Sequence, residues 1–272
     1  MADAIIRTQA MFASTIAEYY VEEEKIRLEL EIGAADLQSF RNLLPDEIYQ
    51  KLGHPPRTFT ERLAEFYTRD LVIRADEGEP LIGRIVEMGP RPRIKRDEIT
   101  GEPLPVAEED PEIVVYASIE YPLEGRPGTL TLQGPAMDPL PSIGFVAYHG
   151  RIPVNDFRYL TPVQRLELDW DDPWYSAFER RALRRSYFAP MSGFIYVEPY
   201  EGRKEIIVRP LDLQRWVDLG LEGREMIPVE IQPELTRRVA EFLRDRHKVV
   251  IDGREIVPDL ARINFLERTL RT

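Results

Sequence analysis

Cysteine is absent from the 272 residues, which excludes disulfides, thiolate metal sites and cysteine nucleophiles together. Lysine is scarce (Lys25, Lys51, Lys95, Lys204, Lys248), so arginine supplies nearly all of the 36 basic side chains. Asparagine occurs only at Asn42, Asn155 and Asn264. Histidine, the usual acid–base and metal-binding residue near neutral pH, occurs only at His54, His149 and His247, each alone in sequence. No apolar run approaches the roughly 20 residues that carry a helix across a bilayer, so no membrane-spanning helix is expected. The opening Met1-Ala2-Asp3-Ala4-Ile5-Ile6-Arg7 lacks the basic flank and apolar stretch of a secretory signal. Nor is there a GxSxG, HExxH, P-loop or GxGxxG pattern. Ser192 has no neighbours that would activate it.

What the chain does have is acid. The net charge of −12 argues against nucleic acid, whose affinity comes largely from phosphates neutralised by a clustered positive face. Hydrophobic residues make up 43%, enough for a sizeable core. The length suggests two units, at about 100–200 residues per domain.

The clearest local signal is Lys25 to Ile32, where Ile26, Leu28, Leu30 and Ile32 alternate with charged residues. Alternation puts the four apolar side chains on one face of a strand and sends the charges to water. Residues 17–21 read as its hairpin partner. Leu37, Phe40 and Leu44 recur at helical spacing, and a second short helix follows Pro45 and stops at Gly53. Thr58 with Glu61 three residues on forms a capping box for a third. Strand patterns resume at residues 71–76, 81–86, 113–123, 129–133, 142–149 and 164–170. The proline- and charge-rich stretch 89–111 reads as a long loop or a protruding hairpin. This pattern predicts an α+β chain whose residues 1–171 form a β-sandwich-like domain with inserted helices.

Residues 172–272 are expected to form a smaller, mixed α/β domain. Asp172 and Pro173 are placed to open a helix running to about Arg185. A hairpin spans 194–208, a short helix 211–219 and a strand 226–231. Pro233 opens a helix with Leu235, Val239, Phe242 and Leu243 on one face, and Asp252-Gly253 signals a tight hairpin.

Three constellations could carry function. Asp169, Asp171 and Asp172 gather carboxylates that would suit calcium, which takes six to eight oxygen ligands. Trp170, Trp174 and Tyr175 beside them could stack on a sugar ring; the plainer alternative is a domain junction with Asp172 as a helix cap. Arg180, Arg181, Arg184 and Arg185 would share a helix and form a docking patch for an anionic partner, or else simply oppose a helix dipole. Paired carboxylates could also run a hydrolysis, but 48 acidic residues make such pairs common.

The stretch Ser14-Thr15-Ile16-Ala17-Glu18-Tyr19-Tyr20-Val21, the Lys25–Ile32 ladder and Asp36-Leu37 together resemble the extracytoplasmic β-domain of HupE/UreJ-type bacterial membrane proteins, and Thr129-Leu130-Thr131-Leu132 follows in a similar order. The resemblance implies architecture and a periplasmic or secreted location, with any signal peptide already removed, and no transport activity. The expected function is a non-catalytic extracytoplasmic interaction or structural module for an unknown protein or glycan partner, needing no cofactor. A calcium- or carbohydrate-binding domain is the alternative, and a carboxylate-based hydrolase the third reading.

Overall fold

A computed structural model describes residues 9–95, 104, 111–136, 140–185, 189–221, 224 and 227–266. The protein is mixed α+β and dominated by strands. It divides into two compact units, with the division between residues 186 and 187.

In the first unit the Lys25–Ile32 ladder is strand β2, paired antiparallel with β1 (Thr15–Val21) in the expected hairpin. Ile26, Leu28, Leu30 and Ile32 are all fully buried. Two short helices follow, α1 (Asp46–Lys51) and α2 (Phe59–Glu65), the latter capped reciprocally by Thr58 and Glu61 as the sequence predicts. The stretch around Leu37 to Leu44, expected to be helical, forms a 3₁₀ segment and successive turns instead. A π-helical turn (Phe66–Asp70) leads into β3 (Val72–Ala75), and β4 (Arg84–Pro92) extends into the stretch expected to be a long loop or a protruding hairpin, where its end pairs antiparallel with the strand beginning at Ile113. Residues 96–103 and 105–110 of that region lie outside the described residues.

Next come β5 (Ile113–Pro122), β6 (Thr129–Gln133) and β7 (Ile143–His149), then the short β8 (Ile152–Pro153) and β9 (Arg158–Tyr159). The unit ends with β10 (Val163–Glu167) and β11 (Ala177–Phe178). One sheet runs β4-β5-β2-β1-β7-β8, with β9 also on β7; the other runs β11-β10-β6-β3. Pairing is antiparallel throughout, apart from β1 with β7. Side chains from both sheets contribute to one buried cluster, in which Phe145 of β7 meets Phe178 of β11 edge-to-face at 5.5 Å. Strand β7 is buried on both faces because a 3₁₀ turn, Gln9–Phe12, crosses its outer side. Gly144 permits that crossing: a Cβ there would come 1.8 Å from the Ala10 carbonyl oxygen.

Residues 172–186, expected to open the second unit, belong to the first. The predicted helix from Pro173 to Arg185 does not form. Asp172 does cap Pro173–Tyr175, accepting from the Trp174 N–H, but this is a single 3₁₀ turn. Phe178 then pairs with Leu166 as a strand, so β-pairing and burial of its ring override the local helix signal.

The second unit contains a hairpin of β12 (Met191–Val197) and β13 (Gly202–Val208), the short helix α3 (Pro210–Leu213) and the long helix α4 (Gln232–Arg246). A second hairpin, β14 (Val249–Ile251) with β15 (Arg254–Ile256), turns at Asp252-Gly253, both with positive φ as a tight turn requires. Leu213, Leu219, Leu221 and Leu235 form its core. Residues 229–231, expected to be strand, form a 3₁₀ turn that feeds α4.

Candidate functional site

Strand β10 ends at Glu167, and the chain from Leu168 to Ser176 folds back tightly on itself. The carboxylate of Asp169 makes that fold, its Oδ1 accepting the N–H groups of Asp171 (3.1 Å) and Asp172 (2.9 Å). Asp172 accepts in turn from Trp174. Trp170 is anchored by donating its indole N–H to the carbonyl of Pro127 at 2.7 Å, and the Arg126 guanidinium lies 5.7 Å from its ring. Around these groups opens a depression of about 780 Å³, counting the solvent at its mouth, lined by Glu167, Leu168, Asp169, Trp170, Asp171 and Tyr175.

Beneath the loop lies a pair the sequence does not bring together. His149, the last residue of β7, is 2% exposed and Ser176 is 1% exposed. Their Nδ1 and Oγ atoms are 2.7 Å apart, while the same Oγ accepts the Asp169 N–H at 2.9 Å. The Trp170 ring meets the imidazole edge-on at 4.4 Å. Burial lowers the His149 pKa to about 4; the nearby Arg126 adds to the effect and Asp169 opposes it. A serine, a histidine and an aspartate thus share one locality, but the Ser176 oxygen is sealed from solvent and already accepts a backbone N–H. Its role here is to tie the loop to β7.

A neutral buried histidine has a signed consequence. The unfolded chain takes up a proton at His149 near pH 6.5, which the folded chain refuses until about pH 4. Stability therefore falls as pH drops through this window, by up to about 3 kcal/mol from this group. Urea unfolding of wild type and His149→Gln at about pH 7 and about pH 4.5 should show a smaller acid loss in the variant. Equal losses would place the titration elsewhere.

No family model, curated protein or solved structure matches this chain.

The structure thus gathers Asp169, Trp170, Asp171 and Tyr175 around one depression, with Asp172 and Trp174 in the same loop. Among the described residues, no three histidine, aspartate or glutamate side chains converge as a metal-holding group. The arginine patch is not realised on a helix. Arg185 is buried, donating to the carbonyls of Pro153 (2.9 Å) and Trp174 with its guanidinium over the Trp174 ring. Arg184 donates to the Phe178 carbonyl and Arg180 to the Thr161 hydroxyl. Arg181 is exposed. The other histidines are engaged locally, His54 against Gln38 and Tyr49, His247 against Lys204.

The charged face of β2 is also less open than alternation suggests. Glu31 is buried, accepting from Arg91 at 2.8 Å, and Glu18 lies directly opposite Glu29. Tyr20 and Tyr148 stack beside them at 4.8 Å. The one sequence signal for this second buried side is the unbroken apolar run in β7, which suits a strand covered on both faces.

Proposed function

We propose that the chain is a non-catalytic interaction module of the cell exterior, built on a two-layer β-sandwich, which binds a protein or glycan partner through the Glu167–Tyr175 depression. The carrying observation is how the polar groups of the loop are spent. Asp169, Asp172 and Ser176 are committed to backbone N–H groups, which holds the loop in one shape before any ligand arrives. A surface ordered in advance loses less entropy on binding. Glu167 and Asp171 remain exposed at the rim beside Trp170 and Tyr175, and aromatic faces with carboxylate acceptors suit sugar hydroxyls as well as peptide groups. The resemblance to the HupE/UreJ-type β-domain supports the extracytoplasmic placement.

Titration of the full chain with a panel of oligosaccharides and peptides, followed by tryptophan fluorescence, tests this reading. A ligand should shift the emission, and Glu167→Lys with Asp171→Lys should weaken it roughly tenfold or more, a loss of about 1.4 kcal/mol. Turnover of a substrate from a hydrolase panel, abolished by Asp169→Asn, would overturn it. The calcium reading is tested separately by melting with calcium and with EDTA, since a ligand bound only by the folded state must raise the melting temperature.

A further inference from the structure

The sheets of the first unit end on guarded edges. Strand β4 carries a register shift between Ile85 and Glu87 and holds Pro90 and Pro92, while β8 and β11 are two residues long. Bulges, prolines and short strands are devices that keep an edge from pairing with another chain. Strand β12 of the second unit has none of them. Its seven residues, Met191-Ser192-Gly193-Phe194-Ile195-Tyr196-Val197, include no charge and no proline, and among the described residues it pairs with β13 alone.

The hydrogen bonds of the hairpin show which groups that edge offers. The Glu198 N–H donates to the Glu201 carbonyl at 2.8 Å, and the Arg209 N–H to the Pro190 carbonyl at 3.4 Å. Both fit the register in which Phe194 faces Glu205, so residues 190, 192, 194, 196 and 198 turn their backbone groups toward β13. Met191, Gly193, Ile195 and Val197 therefore aim theirs the other way, along the open edge. Their surroundings are clear: a Cβ on Gly193 would meet nothing within 4 Å, and Ile195 and Val197 are 73% and 84% exposed.

This edge is complementary to itself. Laid antiparallel on a second copy with Phe194 at the two-fold axis, Gly193 of one copy meets Ile195 of the other, and Met191 meets Val197. Every outward N–H then faces an outward C=O, and the glycine leaves room for the isoleucine. No charge enters the seam, although each chain carries −12. The pairing also closes on itself, because the four-stranded sheet would end on β13, where Lys204 sits at an outward position and a charge discourages further addition.

We propose that β12 is a self-association edge, through which two copies of the chain pair antiparallel into one four-stranded sheet. A two-stranded hairpin is marginal by itself and gains from added strands. One strand per copy is a small interface, below about 1,200 Å² in total, so the dimer should be reversible, with a Kd of about 1–100 µM. Sedimentation velocity of the full chain, from well below to well above that range, should show monomer passing to dimer. Ile195→Pro should raise the Kd roughly tenfold or more, because the N–H it removes points outward and the bonds within the hairpin stay. The absence of native cysteine allows a second readout that does not depend on the proline. At the axis the two Phe194 Cβ atoms would stand about 4.5 Å apart, so oxidation should link Phe194→Cys into dimers. Val229→Cys, at a position 72% exposed and away from the edge, should link roughly tenfold more slowly. A chain that stays monomeric throughout would overturn the proposal, even if its edge took up a foreign extended peptide. So would a dimer that Ile195→Pro leaves intact or that Phe194→Cys fails to link, since it would pair through another face.

Discussion

Replacing Arg62 by alanine should cost about 3–5 kcal/mol of stability, measured by urea unfolding of the full chain. Arg62 is a fully buried cation in α2, at 0% exposure. It donates to the carbonyls of Leu44 (2.8 Å) and Arg41 (3.2 Å), pairs with Asp46, and lies over the rings of Tyr49 and Phe59 at 4.2 and 5.0 Å. Truncation leaves two carbonyls without that donor and opens a cavity between the short helices. Arg62→Lys should rescue little, since a point charge cannot reproduce a planar group that serves both carbonyls from Nη1 and Asp46 from Nη2 while stacking on rings. Asp46, whose side chain is 62% exposed, supplies the control. A surface-type partner is worth at most about 1 kcal/mol, so Asp46→Ala should be mild. Equal losses from the two variants would mean that the ion pair, and not the carbonyl bonds, carries the stabilisation.

Phe145→Ala should be comparably severe, at about 3–5 kcal/mol. The ring is fully buried and makes edge-to-face contacts with Tyr19 in its own sheet (6.3 Å) and Phe178 in the other (5.5 Å). Its loss removes packing on both sides at once. Phe178→Ala should give a similar value, and the double variant should cost less than the sum, because the two rings share a contact. Additive losses would show that the rings are energetically independent and that the sheets are coupled through other side chains. A drop of less than about 1 kcal/mol for Phe145→Ala would mean that the core closes around the gap.

The elements legible in the sequence are those whose signals are local and uncontested. The Ile26–Ile32 ladder, the Thr58–Glu61 box, the Pro233 helix and the Asp252-Gly253 turn all stand where residue spacing places them. Where the reading departs from the structure, a local signal meets a stronger distant one. Asp172 and Pro173 start a helical turn, but Leu166 recruits Phe178 into a strand, and Arg184 and Arg185 bond to carbonyls outside any helix. Alternation also says only that a strand has two faces. In β2 the apolar face is buried as expected, yet in β12 the alternating Ile195 and Val197 stand in solvent, and Glu31 on the polar face of β2 is covered. The aspartate and tryptophan positions of the candidate site are adjacent in sequence and could be found there. His149 and Ser176 could not, because only sheet pairing brings β7 against the loop after β10.

The parallel pairing of β1 with β7 has a consequence for biosynthesis. Thr15 leaves the ribosome long before its neighbour Ile143 is made. The hairpin of β1 and β2 can close at once, but its far edge must wait, exposing backbone groups and apolar side chains throughout that delay. Ribosome-bound chains ending before β7 should therefore be more easily cut by protease and more readily captured by chaperones than chains released after it. The interval between these two strands sets how long the nascent protein needs protection.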